Sequence, residues 1–167
     1  MVFGMSLETY TLIHVIISLI GIASGLIVLF GMLASKRLDG MTAIFLVSTA
    51  LTSITAFGFP FKGVTPGIIL AVLSLAVLAL SIPARYMFHM SGKWRSVYVI
   101  TAVVALYFNC FVLVVQTFQK EILHTSGPPS GPAFAATQGI VLALFTVLGY
   151  MAMKKFHPEA KSIAHPA

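Results

Sequence analysis

Acidic residues are scarce in this sequence. Only four of its 167 residues are Asp or Glu, and all charged residues together make up 8% of the chain. The four acids fall in loops or near the ends of long apolar runs, which disfavours paired catalytic carboxylates and a carboxylate-based proton pump inside those runs. The shortage of acidic residues favours a protein that is not an enzyme, but it does not exclude an enzyme.

Cysteine and signature motifs are scarce as well. The single cysteine, Cys110, lies within an apolar run, which excludes an intramolecular disulfide and a CxxC redox motif. No HExxH, P-loop, GxGxxG or Ser-His-Asp pattern is present. The sequence therefore gives no support to the common hydrolytic and nucleotide-binding sites.

Apolar residues make up 59% of the chain and form five long runs without Asp, Glu, Lys or Arg. Each run offers about 20 residues, the length that a helix needs to cross roughly 30 Å of hydrocarbon. The runs predict an all-α fold: a polytopic integral membrane protein, with five transmembrane helices bundled in one domain (1–155) and a short cytoplasmic tail (156–167). The predicted spans are 9–34, 41–59, 67–87, 94–119 and 134–153.

Basic residues fall mainly on one side of these spans. Short loops rich in Lys and Arg stay cytoplasmic, so the chain is predicted to have its N-terminus outside and its C-terminus in the cytoplasm. The net charge of +6 reflects this bias and does not indicate nucleic-acid binding. The predicted inner side holds Lys36, Arg37, Arg85, Lys93, Arg95, Lys154, Lys155 and Lys161, and the outer side holds Lys62 and Lys120.

Two residues near the end of the third span carry structural expectations. Pro83 is expected to kink that helix or to end it early, because proline cannot donate a backbone hydrogen bond. Arg85 is expected to extend towards the inner lipid head groups. Small residues form two helical faces, one with Gly21 and Gly25 and one at 67, 71 and 74, which favour close helix contact and a homo-oligomer or a membrane partner protein.

Polar side chains of four spans share one predicted depth, in the outer half of the membrane. If they face inward, they form an outward-facing pocket that binds a small molecule. The predicted ligand-binding residues are His14, Ser18, Thr52, Asn109, Gln116 and Gln138, and the predicted rim consists of Glu8, Lys62, Lys120, Glu121 and His124.

The same residues also have a structural interpretation. Ser and Thr in membrane helices commonly bond the carbonyl four residues earlier, and Asn and Gln hold neighbouring helices together. This interpretation is favoured for Ser48, Thr52 and Thr55. For Asn109, Gln116 and Gln138, both interpretations stay open.

His14 is the sharpest candidate, since an ionisable residue inside a membrane tends to be functional. A neutral imidazole binds a metal, accepts a proton or hydrogen-bonds a quinone, so His14 is a weak metal candidate, and haem or quinone are possible cofactors. A bis-histidine haem site is disfavoured, because His89 lies at the inner end of span three and His124 lies in a loop.

Three short motifs, FGFPF at 57–61, ARY at 84–86 and LYFN at 106–109, look similar to those of small bacterial inner-membrane proteins, which implies that membrane as the location. The aromatic motif at 57–61 either gates a pocket mouth or anchors the helix end at the interface. The first functional hypothesis is a membrane protein that binds or passes a small molecule through the outward-facing pocket. The alternatives are a redox-linked subunit that binds quinone or haem, and a structural or assembly subunit of a membrane complex.

Overall fold

The computed structural model describes residues 4–60, 63–119 and 129–158. These ranges contain five α-helices and no β-strand, and each helix is long and apolar enough to cross a membrane. The prediction of five apolar helices is confirmed, with bounds that differ from the expected ones by at most three residues. The helices are α1 (Leu7–Leu33), α2 (Asp39–Ala56), α3 (Pro66–Tyr86), α4 (Lys93–Thr117) and α5 (Pro132–Lys155).

The helix ends follow local sequence signals. The Ser6 hydroxyl caps α1 by accepting a hydrogen bond from the Thr9 amide at 3.1 Å. The Thr65 hydroxyl caps α3 in the same way, and Pro66 occupies the first helical position, where no amide hydrogen is needed. Pro83 lies in the last turn of α3, which ends three residues later at Tyr86, so the helix continues past the proline by less than one turn.

The first four helices form a ring in which each helix runs antiparallel to the next along the chain. α4 is the hub, since it contacts α1, α3 and α5 and touches α2. α1 and α3 lie diagonally opposite, with little or no contact between them. α5 packs outside the ring against α1 and α4, and only three of its residues are buried: Gln138, Phe145 and Ala152.

One half of the bundle is tightly packed. It lies towards the end where α1, α3 and α5 finish and where α2 and α4 begin, which we call the basic end because Lys36, Lys93 and Lys155 lie there. Side chains from all five helices are buried in it. The most deeply buried apolar residues are Leu29, Met32, Phe45, Leu46, Leu78, Ala84, Tyr98, Val99, Leu106 and Ala152.

Arg85 is buried in this packed half, with only 1% of its side chain exposed. Its Nη2 atom donates to Asp39 Oδ1 at 2.6 Å, and its guanidinium lies 5.0 Å from the centre of the Tyr98 ring. The expectation that Arg85 extends towards the inner lipid head groups is therefore wrong. The physical reason is that Asp39, the first residue of α2, supplies a carboxylate at the level of Arg85, and a buried charge is tolerated when it is paired.

Two further contacts at the basic end hold α5. Arg95 Nη1 donates to the carbonyl oxygens of Met153 at 2.9 Å and Phe156 at 2.7 Å. The amide of His157 donates to the Ser35 hydroxyl in the loop after α1. A guanidinium at a helix C-terminus donates to the free carbonyls there, and its positive charge interacts favourably with the negative end of the helix dipole. Arg95 therefore fixes the end of α5.

The glycine face of α1 packs inside the chain. A Cβ atom on Gly21 would lie 3.4 Å from Ser48 Cβ, and one on Gly25 would lie 2.6 Å from Leu106 Cδ1 and 2.8 Å from Phe45 Cδ2. The close approach predicted for this face is thus made to α2 and α4 of the same chain. The face gives no separate reason to expect a homo-oligomer.

We expect Asp39→Asn to lower the free energy of unfolding by about 2–3 kcal/mol, because the buried Arg85 guanidinium loses its counter-charge. Thermal unfolding in a mild detergent measures the change. The matched control is Arg37→Gln, which removes the other partner of Asp39 Oδ1, a guanidinium 2.7 Å away that is partly exposed. That control should cost less than about 1 kcal/mol. Equal losses in both variants would contradict the assigned importance of Arg85.

We expect Gly25→Ala to destabilise the fold by about 1–3 kcal/mol, since the added methyl group meets the Leu106 and Phe45 side chains. The control is Gly139→Ala on α5, where nothing lies within 4 Å of the added atom. The same thermal unfolding assay should find the control as stable as the native protein or slightly more stable. A Gly25→Ala variant with unchanged stability would show that α1 does not pack this closely.

Candidate functional site

A cavity of about 690 Å³ lies between α1, α2, α3 and α4, in the half of the bundle away from the basic end. Its walls are mainly apolar. Each of the four helices also contributes polar side chains, and Thr65 in the turn before α3 adds another. The apolar lining includes Val15, Leu19, Ile22, Phe59, Ile68, Leu70, Phe108, Val112 and Leu113. The polar lining consists of Thr11, His14, Ser18, Thr52, Ser53, Thr65, Ser74, Asn109, Gln116 and Thr117.

Small residues of α3 contribute to the cavity, together with Ile68 and Leu70 of the same helix. Gly67, Ala71 and Ser74 line it from α3, and none of them has a side chain long enough to reach α1 across the ring. In the packed half, by contrast, Leu78 and Arg85 of the same helix fill the centre. At the positions of Gly67, Ala71 and Ser74, α3 therefore leaves space between itself and α1.

Five of the six predicted ligand-binding residues line this cavity: His14, Ser18, Thr52, Asn109 and Gln116. The sixth, Gln138, does not line it. Its Nε2 atom donates to the carbonyl oxygen of Phe111 at 3.1 Å, and its Oε1 atom is buried without a partner among the described residues. Gln138 misses the cavity because α5 packs outside the ring, so that this side chain contacts the face of α4 that points away from the cavity.

His14 is held from one side by the end of α2. Its Nδ1 atom lies 2.7 Å from Thr55 Oγ1, and its ring meets the Phe59 ring edge-on with centres 5.1 Å apart. Tyr10 reinforces this arrangement, because its hydroxyl donates to the Thr55 carbonyl and its ring packs edge-on against Phe59. The imidazole is thereby fixed in the wall of the cavity.

Most cavity hydroxyls donate to backbone carbonyls within their own helix. Ser18 donates to His14 O at 2.8 Å, and Ser53 donates to Thr49 O at 2.9 Å. Thr11 and Thr117 each donate to the carbonyl four residues earlier. This is the structural pattern expected for such residues, and it leaves their oxygen atoms available mainly as acceptors.

Asn109 makes the kind of hydrogen bond between helices that the structural interpretation predicts. Its side chain is buried, and its Nδ2 atom donates to Thr49 Oγ1 at 3.0 Å, which joins α4 to α2. It also lines the cavity at the boundary with the packed half. Gln116 is exposed and has no hydrogen-bond partner among the described residues, so its amide is available to a ligand.

The structure adds residues that the sequence argument did not place in the site. Phe59 lies in the motif at 57–61, of which Phe57 is exposed and Phe61 lies outside the described residues. Thr65 and the small residues of α3 were not included either, although they share the depth of His14. Extending the comparison of depth to the loop after α2 and to the start of α3 would have found them.

The predicted rim is described only in part. Glu8 is exposed at the start of α1, whereas Lys62, Lys120, Glu121 and His124 lie outside the described residues, as does the tail from 159 onwards. Within the described ranges, no three His, Cys, Asp or Glu side chains are grouped as metal ligands. The other described histidines, His89 and His157, lie at the basic end, so in these ranges His14 is the one imidazole at the cavity.

Comparison with protein-family models, with curated proteins and with solved structures finds no match to this chain.

Proposed function

We propose that this chain is an integral membrane protein that binds a small, largely apolar molecule in the cavity between α1 and α4. The observation that carries the proposal is the cavity itself. Ligand sites typically have volumes of about 300–1,000 Å³ and apolar walls with a few polar groups, and this cavity fits that description. The imidazole of His14 and the amide of Gln116 are the polar groups best placed to orient a ligand.

The distribution of charge and apolar surface supports insertion with the cavity half towards the outside. Seven basic residues are described, and all lie at the basic end: Lys36, Arg37, Arg85, Lys93, Arg95, Lys154 and Lys155. Large apolar side chains are exposed along every helix, including Leu12, Val47, Leu80, Ile100 and Ile140. Such a surface is favourable in lipid, and a basic end is retained on the cytoplasmic side. A bacterial inner membrane is the location we propose.

The packed half of the bundle favours binding of a small molecule over its passage through the protein. Phe45, Tyr98 and Arg85 close the centre of the bundle below the cavity, and each is almost completely buried. A molecule in the cavity would need these side chains to move before it reached the basic end. We therefore propose a binding site with one entrance from the outer half, and transport would require a second conformation.

A lipid-soluble quinone in its reduced form is a second candidate ligand, because its hydroxyl groups can hydrogen-bond a fixed imidazole in an apolar cavity. Haem is less well matched by the described residues. His14 would be the one imidazole near a haem in this cavity, since His89 and His157 lie at the opposite end of the bundle. The quinone alternative would make the chain a redox-linked subunit beside a catalytic partner.

We expect Ala71→Phe to abolish ligand retention, because the new ring extends from α3 into the cavity. The control is Ala76→Phe, the same change at an exposed position of the same helix that does not line the cavity. Native mass spectrometry and a UV–visible spectrum on gently solubilised protein measure the bound molecule. The native chain and the control should retain a small molecule that Ala71→Phe loses.

Two outcomes would contradict the binding proposal. One is an equal occupancy of the molecule in Ala71→Phe, which would place its site elsewhere. The other is an unliganded mass for the native chain that no added lipophilic compound changes. Thermal unfolding of both phenylalanine variants shows whether a loss of ligand reflects a blocked cavity or a damaged fold.

We expect the loop after α3 to be cytoplasmic and the segment before α5 to be external. In a Cys110→Ala background, Ser130→Cys should react with a membrane-impermeant maleimide on intact cells. Ser91→Cys should react only after the membrane is permeabilised. Both serines are exposed, so accessibility differs only by side of the membrane. The reversed labelling pattern would overturn the proposed orientation.

A further inference from the structure

The Thr55 hydroxyl has one proton, and its surroundings determine where that proton lies. Its Oγ1 atom is 2.7 Å from the carbonyl oxygen of Leu51 and 3.1 Å from that of Thr52. Carbonyl oxygens only accept, and two oxygen atoms 2.7 Å apart repel unless a proton lies between them. The proton therefore lies towards these carbonyls, and Thr55 Oγ1 can act only as an acceptor for other groups.

This assignment fixes the tautomer of His14. The Nδ1 atom lies 2.7 Å from Thr55 Oγ1, and since that oxygen accepts, Nδ1 must carry the hydrogen that it receives. In a neutral imidazole one nitrogen carries a proton and the other is an acceptor. The second nitrogen, Nε2, is then an unprotonated acceptor, and it has no hydrogen-bond partner among the described residues.

The surroundings favour the neutral form of this ring. Phe59 packs edge-on against it, and Val15 and Ile68 are among the apolar side chains of the same cavity. No carboxylate among the described residues pairs with His14, since the ion pairs found there join Asp39 to arginines at the other end. An imidazolium in such an apolar wall would lack a counter-charge.

We propose that the cavity selects a lipophilic molecule with a hydroxyl group, an alcohol or a phenol, which donates its hydrogen bond to His14 Nε2. This inference rests on the proposed binding function and names its ligand class. A ketone, an ether or an oxidised quinone presents only acceptors, which would face the lone pair of Nε2. The Ser18 hydroxyl, which lines the same wall, donates to the His14 carbonyl at 2.8 Å and lies 3.4 Å from Thr52 Oγ1, so its proton is already used within the chain.

A matched pair of probes tests the ligand class: para-hexylphenol and its methyl ether, which differ in the hydrogen-bond donor and little in shape. Each is titrated into the detergent-solubilised full chain, and dissociation constants come from native mass spectrometry. We expect the phenol to bind at least about tenfold more tightly than the ether, since the ether leaves Nε2 without a donor. Ala71→Phe, with the cavity blocked, should bind neither probe.

Two substitutions at Thr55 test the tautomer argument. Thr55→Val keeps the shape and removes the acceptor for Nδ1, so the ring is free to carry its proton on Nε2, and the preference for the phenol should fall to about twofold or less. Thr55→Ser keeps the hydroxyl and should keep the preference. Nitrogen-15 NMR of the native protein, assigned by comparison with His14→Gln, should find Nε2 unprotonated.

The outcomes separate this inference from the proposed function. If neither probe binds the native chain, both are overturned. If the two probes bind the native chain equally and Ala71→Phe blocks both, the cavity binds ligands and the hydroxyl selectivity is wrong. An unchanged preference in Thr55→Val, or a proton on Nε2 in the native protein, would overturn the role assigned to Thr55. Thermal unfolding confirms that each variant is folded.

Discussion

The antiparallel pairing of α1 and α2 is the contact on which the rest of the structure depends. Towards the basic end, the absence of a side chain at Gly25 lets α1 approach Phe45 of α2 and Leu106 of α4. Towards the other end, hydrogen bonds replace this packing, with His14 against Thr55 and Tyr10 against the Thr55 carbonyl. These contacts hold α1 against α2 and α4, and a space remains between α1 and the small residues Gly67, Ala71 and Ser74 of α3.

The two halves of the bundle use polar groups for different purposes. At the basic end, Arg85 and Arg95 make their contacts within the chain, one with the Asp39 carboxylate and the other with carbonyls at the end of α5. Charges there connect helices and close the bundle. In the cavity half, most hydroxyls donate to carbonyls of their own helices, whereas His14 and Gln116 line the open space. The charged contacts and the proposed binding site thus lie in opposite halves of the bundle.

Much of this could be predicted from the sequence, for identifiable reasons. Helix number and bounds follow from the lengths of uncharged runs and from Thr65–Pro66 and Pro132, which are local signals. Five site residues could be grouped because depth is counted along each helix. The rotation of a helix about its axis is not local, however, and so the burial of Arg85 against Asp39, the outward position of α5 with Gln138, and the bond between His14 and Thr55 could not be read from spacing alone. Each depends on which neighbour a helix meets across the bundle.

We propose that a cavity in one half of the bundle holds a small molecule beside His14. The most direct test is an experimental structure of the full chain extracted together with its native lipids. We expect density for a bound molecule within the ring of α1 to α4, between His14 and the small residues of α3, while Arg85 stays paired with Asp39. A structure in which α3 packs against α1, so that Ala71 and Ser74 contact it and no cavity remains, would rule out this binding site.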